Sequence, residues 1–575
     1  SSRFHKAFNI DPNKDLFPIP SLDNISLQAP RFHLNKDELS GILISSNKQD
    51  RIQHTYGRSS KDYIRMIMED YSVAPDYVAY AKTNQQIETI LKYCNRHNIA
   101  CVTYGGGTSV VGGIETNLYL NYKGVISIDL TMMNNIIAFN EMDQTITVQP
   151  GLTCMNLENY LKLNHPQYTL RHFPQSFEFA SIGGVIVTRS GGHFAVGKTR
   201  IDHFLQSAKL ITPKQGIIAT PEIPSSGSGL EVNGCIIKGN EGIFGIVTDI
   251  KLRLLKQPKF KRNIKIEFNN MSFIYAAQYI REFVQSGLEP SNCRLIDGME
   301  SFSNGLSNDP GTHVCIVGFE SHLQKDFQNE IDSIKFIIDK LNKKYNKSVV
   351  IKSDSNDKSN KKDRNDAVGN WYYSFLSAPY VRDEFLRTGI FMETFETCVK
   401  WSGLAKLHDD IYQVVREGIK GLFYKDCFYI LTKRFTHIYT DGVSIYFTLI
   451  VDPRKEWKKK FGDNYKDYLS ELYSVWHELK TNIQECIVGN VASSTHHHAV
   501  GKDHAPSFVK EIGIKNVEWM ISMKKHFDPN WILNPGVLIP YVPFKSSYSG
   551  EDDTKNDVDM YCPRDFIRTF IPSKL

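Results

Sequence analysis

No apolar run in this 575-residue sequence reaches the ~18 residues that a membrane-crossing helix requires, so no such span is expected. Cysteine is sparse: ten residues are scattered from Cys94 to Cys562 without a CxxC pair. Most sit inside apolar runs such as Ala100-Cys101-Val102, which reads as buried, reduced thiols in a reducing or non-secretory compartment. A surplus of one charge is also lacking. The formal net charge of +5 allows a basic pocket for an anion but not the clustered Lys/Arg stripe of a nucleic-acid binder. The opening Ser1-Ser2-Arg3-Phe4 carries neither a signal peptide nor an initiator Met, so an upstream stretch is expected to be missing. No internal repeat is found.

What is present describes an ordinary folded protein, 41% hydrophobic, 12% aromatic and 23% charged, and too long for a single core. Residues 1–72 are polar and proline-bearing and read as a mostly helical or irregular segment. From 73 to 256, short β-rich runs alternate with glycines: Cys101-Val102-Thr103-Tyr104, Val125 to Leu130, Thr145 to Val148 and Ala208 to Thr212. Between them Thr83 to Ile99 has helical spacing at Ile87, Ile90, Leu91 and Cys94. Residues 257–500 form a second mixed region. Its helical patterns lie near Phe273–Val284, Phe327–Leu341 and Tyr465–Leu479, and its strand patterns at Val314–Phe319 and Val443–Val451. The runs Lys352 to Arg364 and Ser546 to Asp559 are polar and read as surface loops. Residues 501–575 form a C-terminal helical segment. The class is α+β.

Chemistry is signalled first by glycine. The run Thr103-Tyr104-Gly105-Gly106-Gly107-Thr108-Ser109 leaves a strand. Consecutive glycines let backbone N–H groups turn inward on a diphosphate, and the Thr and Ser hydroxyls add donors. It is neither GxGxxG nor GxxxxGK[ST]. On residue types alone, a phosphate grip and a plain glycine turn stand level. Further clusters follow in order: Gln149-Pro150-Gly151, Gln175-Ser176-Phe177-Glu178-Phe179-Ala180-Ser181, Thr188-Arg189-Ser190-Gly191, Gly239-Asn240-Glu241-Gly242-Ile243-Phe244-Gly245 and Asn534-Pro535-Gly536.

This ordered set, opened by Pro75-Asp76-Tyr77-Val78, resembles the flavin domain of the vanillyl-alcohol-oxidase/p-cresol-methylhydroxylase family. The resemblance implies a two-subdomain FAD-binding domain over 73–256 and an α+β substrate cap over 257–500. The C-terminal segment 501–575 would then return to the FAD domain. It implies that the first loop grips the diphosphate of FAD, while the 175–191 and 239–245 segments surround the ribityl and ring parts. Many members carry a His in the first loop that bonds covalently to flavin. Thr108 stands here instead, so noncovalent FAD is expected unless His193 or another side chain substitutes.

The second half carries Thr495-His496-His497-His498-Ala499-Val500-Gly501. Adjacent histidines point in different directions, which argues against a metal, and none is expected. A solvated polar turn and acid/base positioning of an anionic substrate both remain open on residue types. These residues, with Ser444-Ile445-Tyr446-Phe447, Cys293-Arg294-Leu295, Tyr380-Val381-Arg382-Asp383 and Glu393-Thr394-Phe395-Glu396, are similar to the ether-lipid-forming branch of that flavin family.

That branch exchanges the acyl chain of acyl-dihydroxyacetone phosphate for a long-chain fatty alcohol. It proceeds through a flavin–substrate covalent adduct, without net redox. The similarity implies Tyr446 as an acid/base group and His496, His497 and His498 as oxygen-polarising and proton-relaying groups. It implies Arg382, supported by Arg294, as the phosphate fork. For Arg382 an ion pair with Asp383 or Glu384 is the structural alternative, and for Tyr446 it is core packing. A lipid tunnel and peripheral contact with a peroxisomal membrane are expected, and a homodimer is left open. The final Ser573-Lys574-Leu575 is the tripeptide that the peroxisomal import receptor reads. Two other functions stand beside this one: an FAD-dependent 2-hydroxy-acid dehydrogenase of the D-lactate or glycolate type, and a non-catalytic flavin-bound lipid carrier.

Overall fold

The computed structural model describes residues 8, 10–11, 16–116, 122–194, 196, 200–323, 326–356, 380–424, 426–540, 542–543 and 560–561. Ser573-Lys574-Leu575, expected from sequence to direct targeting, the polar run Ser546–Asp559 and residues 357–364 lie outside them. No described helix is long and apolar enough to cross a membrane.

Three larger sheets organise these residues, beside two two-stranded pairs. In the first, strands Tyr77–Tyr80, Val125–Asp129 and Ala100–Tyr104 run parallel, and Leu43–Ser45 adds antiparallel on Tyr77–Tyr80. Parallel strands need a crossover, here supplied by the helix Asn84–His97. Its start is capped by Thr83, whose hydroxyl accepts from Gln86 N–H, and it stops at the left-handed Asn98. Ile87, Ile90, Leu91 and Cys94 form its buried stripe, at the spacing read from the sequence.

The second sheet is antiparallel, in the order Ile136–Asn140, Thr145–Val148, Ile246–Arg253, Leu205–Thr212, Gly216–Ala219. Helices Ala505–Ile512 and Ile514–Phe527 contribute to its core. The chain then reaches the first sheet: Leu533 bridges Cys101 in parallel, and Asn534 N–H donates to Cys101 C=O at 2.8 Å.

The third sheet has seven antiparallel strands in the order Val350–Asn356, Phe260–Phe268, His313–Ser321, Asn292–Ile296, Phe428–Ile438, Gly442–Asp452, Phe391–Lys400. Side chains alternate across it. One set, including Ile264, Leu295, Phe395, Phe435 and Phe447, packs under helices Phe273–Gln285, Gln328–Tyr345, Leu404–Gly418 and Tyr465–Gly489 in the largest core. The opposite set faces the first two sheets.

One expectation is corrected here. Lys352–Asn356 is strand rather than surface loop, with Ser353–Asn356 paired antiparallel with Arg262–Lys265 at the sheet edge. An edge strand needs backbone pairing on one side only, and polar side chains do not prevent that.

Candidate active site

A cavity of about 1150 Å³ lies between the glycine segments and the open face of the seven-stranded sheet. Single-ligand pockets run to roughly 1,000 Å³, so this one has room for a cofactor and a substrate together. One wall is the loop after strand Ala100–Tyr104. All of Thr103, Tyr104, Gly105, Gly106, Gly107, Thr108 and Ser109 line it. Two of these positions require glycine. A Cβ on Gly106 would stand 1.8 Å from Phe179 C=O, and Gly107 has φ +67° beside the Tyr104 hydroxyl.

Asn534 ties the walls together. Its amide donates to Glu241 C=O at 2.7 Å and to Gly113 C=O at 3.3 Å. Its other atom, Oδ1, and Thr103 Oγ1 are buried with no hydrogen-bond partner in the protein. Thr103 Oγ1 and the Asn534 amide nitrogen lie 3.7 and 3.3 Å from the point where a Cβ on Gly242, φ +79°, would sit. Buried polar atoms left unsatisfied around a glycine cradle fit a polar ligand edge. The Gly239–Gly245 turn is held from behind by Lys524, whose Nζ donates to Ile243 C=O, Leu533 C=O and Asp528.

The opposite wall is built by strand alternation. Three rows cross strands Phe391–Lys400, Gly442–Asp452 and Phe428–Ile438: Met392–Ile450–Ile430, Thr394–Thr448–Thr432 and Glu396–Tyr446–Arg434. The site therefore grades from apolar through hydroxyl to ionic over roughly 13 Å. Phe8, Val381 and Phe385 extend the apolar end, and Met299 and Phe302 line the cavity as half-exposed side chains.

At the ionic end Tyr446 lies buried under the Arg434 guanidinium, 4.1 Å above its ring, and beside the rings of His497 and His498. Burial raises the phenol above its ordinary pKa against the pull of Arg434. Arg434 is itself paired with Glu300 at 2.7 Å. Arg294, 1% exposed, donates to His193 C=O and Asn292 and also lines the cavity.

The three histidines are organised by a residue to which no role was assigned from sequence. Glu396, buried in its strand, accepts from Thr495 Oγ1 at 2.6 Å and from the backbone N–H of His496, His497 and His498 at 2.9–3.1 Å. Burial would raise its pKa, but the three imidazoles and the Thr495 hydroxyl outweigh this and hold it well below the carboxylate range. Glu241 pins the other end of the loop, accepting from Val500 and Gly501 N–H at 2.8 Å each. Burial pushes its pKa up to about 7 against those two bonds. Burial also lowers all three imidazoles, with Glu396 opposing it.

Similarity to known proteins decides the family. Residues 75–220 match the model of the FAD binding domain, and residues 257–538 match that of the FAD linked oxidases, C-terminal domain. The chain belongs to the FAD-linked oxidase family. It is 26% identical over 557 residues to the Dictyostelium discoideum protein named alkyldihydroxyacetonephosphate synthase, covering 92% of this chain and 84% of that one. It is also 26% identical over 475 residues to the Arabidopsis thaliana mitochondrial D-lactate dehydrogenase [cytochrome], covering 81% and 74%. A solved alkyldihydroxyacetonephosphate synthase superposes with TM-score 0.70 at 21% identity, over 91% of this chain and 89% of that one, which shows the shared fold.

This flavoenzyme is thus FAD-dependent, with a two-subdomain FAD domain and an α+β cap. Thr108 is on the cavity wall, whereas His193 is buried behind Arg294 and is not among the lining residues, in keeping with noncovalent FAD.

Of the residues expected from sequence, Gln175, Ser176, Ala180, Ser181, Thr188, Ser190, Gly191, Glu241, Gly242, Gly245, Arg294, Arg382, Tyr446, His497 and His498 line the cavity. Apart from Thr103–Ser109, which line it as well, the others do not, because consecutive residues cannot all face one ligand. Phe177 packs on the core, Phe179 and Arg189 are exposed, and Glu178 accepts from Tyr380. Ile243 and Phe244 are core residues, and Gly239 and Asn240 shape the turn from behind. His496 stands behind His497, hydrogen-bonded to Tyr439 and Arg200. Arg382 lines the cavity and also makes the expected ion pair, donating to Asp383 at 2.8 Å.

His437 and Arg434 were missed. Arg434 was legible only through its pairing with Tyr446. His437 sits on an odd position that regular alternation turns toward the helices. A bulge between Phe435 and His437 inserts Thr436 and turns His437 to the cavity, opposite Ser444.

Proposed function

We propose that this flavoenzyme makes ether lipids, exchanging the acyl chain of an acyl-dihydroxyacetone phosphate for a long-chain alcohol without net oxidation. The observation that carries the reading is the graded wall. Cations, a phenol and imidazoles stand at one end of the same strands, and aliphatic and aromatic side chains at the other. A phosphate head and an alkyl tail match that polarity in one pose. The names of its relatives support the same chemistry.

In this reading Arg382 and Arg294 bind the phosphate, and Arg434 strengthens the field around it. Tyr446, beside Arg434, takes and returns the proton next to the ketone, and His497 and His498 polarise the oxygens. The apolar rows hold the chain and exclude water, each buried methylene contributing roughly 0.8 kcal/mol. Thr103, Asn534 and the first glycine loop would hold the FAD, which would supply an electron-poor ring beside the carbon next to the ketone. The terminal Ser573-Lys574-Leu575 supports a peroxisomal site of action, at the membrane surface that supplies both lipids.

The test is an assay with palmitoyl-dihydroxyacetone phosphate and hexadecanol. Stoichiometric release of palmitate and alkyl product with the flavin still oxidised is expected. Anaerobic bleaching by D-lactate, with no acyl exchange, would favour the second reading, which the Arabidopsis thaliana relative and the basic pocket support.

A further inference from the structure

We propose that Arg200, which stands outside the cavity, fixes the hydrogen positions of His496 and His497 and so makes His497 a hydrogen-bond donor to substrate, not a base. Arg200 reaches the site from the residues just before the helix Ile201–Phe204, and its Nη1 is 3.1 Å from His496 Nε2. A guanidinium can only donate. His496 Nε2 therefore accepts and carries no hydrogen. The Tyr439 hydroxyl lies 2.7 Å from the same nitrogen and itself accepts from Arg200 at 3.3 Å, which leaves the phenol proton to His496 as well.

A neutral imidazole has one N–H, so that of His496 is at Nδ1. It points at His497 Nδ1, 3.1 Å away. His497 must accept there and carry its own hydrogen at Nε2, the nitrogen left for the cavity that it lines. The competing acceptor is Glu396 Oε2, 3.5 Å from His497 Nδ1. Glu396 is already occupied by Thr495 Oγ1 and three backbone N–H groups at shorter range. Distance favours the His496 bond.

The groups facing His496 are Arg200, Tyr439, His437, His497 and Glu396, with Arg189 further off. Burial, His497 and the two arginines favour its neutral form and Glu396 opposes them. The same hydrogen positions bear on metal binding. His437, His496 and His497 each bring a nitrogen within 4.8 Å of one another, and the contacts with Arg200 and His497 already engage both nitrogens of His496.

That His497 donates to a substrate oxygen rests on the acyl-exchange reading; the hydrogen positions do not. The flavin-loaded protein, labelled with ¹⁵N-histidine, tests both. The wild type should show His496 protonated at Nδ1 and His497 at Nε2, assigned with His496→Gln. Arg200→Ala should lose this pattern, raise the acid limb of the pH–rate profile by about one unit and cut kcat roughly 10²-fold. Arg200→Lys, which still donates, should restore the pattern and most of the rate, with flavin absorbance unchanged in both. A wild-type His497 protonated at Nδ1 would overturn the proposal, as would equal rate loss in both variants with the nitrogen shifts unmoved. Failure of the wild type to release fatty acid would sink only the reaction assigned to the site.

Discussion

Glu396 shows how much one buried side chain organises. Removing it in Glu396→Ala strands three backbone N–H groups and the Thr495 hydroxyl, each at a cost of roughly 1–3 kcal/mol. Activity should fall on the order of 10²-fold or more, with the flavin retained, as absorbance and initial rates would show. Tyr446→Phe keeps the packing under Arg434 and removes only the phenol; kcat/KM should drop roughly 10²–10⁴-fold with lipid binding unchanged. A non-catalytic carrier would lose nothing in either variant. Glu241 carries a pH prediction. Its folded pKa, pushed up to about 7, lies above the ordinary carboxylate value. Its contribution to stability is therefore complete below that ordinary value and lost as pH rises through 7. In thermal scans of the flavin-free protein the wild type should lose stability over that window relative to Glu241→Gln. Parallel curves would contradict it.

Among elements, the Phe428–Ile438 strand and the Ile514–Phe527 helix carry the most consequence. Were Thr436 paired in register instead of bulged out, it would stand opposite Ser444 and His437 would turn toward the helix-packed core. That arrangement was not legible from sequence, because a bulge is decided by the register of the neighbouring strand. The helices were legible: the Ile87, Ile90, Leu91, Cys94 stripe and the capping Thr83 are local signals, and the structure places the helix at Asn84–His97. Strand Phe391–Lys400 was read only as a motif, since a strand buried on both faces has no simple alternation. At the end of helix Ile514–Phe527, Lys524 and Asp528 form a buried pair that also holds Ile243 and Leu533. Lys524→Met should leave Asp528 uncompensated and cost roughly 3–5 kcal/mol by denaturant unfolding, with weaker FAD retention. A stability equal to wild type would mean the pair is dispensable.

At the scale of the whole molecule, the cavity lies between the glycine segments and the seven-stranded sheet, and the chain must close on itself to complete it. Asn534 joins Gly113 and Glu241 across more than 290 residues of sequence. Cutting the chain after the cap should therefore abolish flavin binding rather than weaken it. The targeting expectation belongs to this scale too. Removing Ser573–Leu575 should leave acyl exchange intact and move the protein to the cytosol, as imaging of tagged cells would show; import that persists would assign targeting elsewhere.

By itself the sequence determined what local physics governs: the glycine loops, the helical stripes, the FAD family signatures and the presence of His, Tyr and Arg in the cap. Only the tertiary structure decided which of those residues share a wall. His497 and Tyr446 face the cavity while His496 stands behind with Arg200, and Glu396 holds them all from within the sheet. The reason is geometric. A side chain's direction follows from strand register and bulges set by partners hundreds of residues away, and no local pattern encodes that pairing.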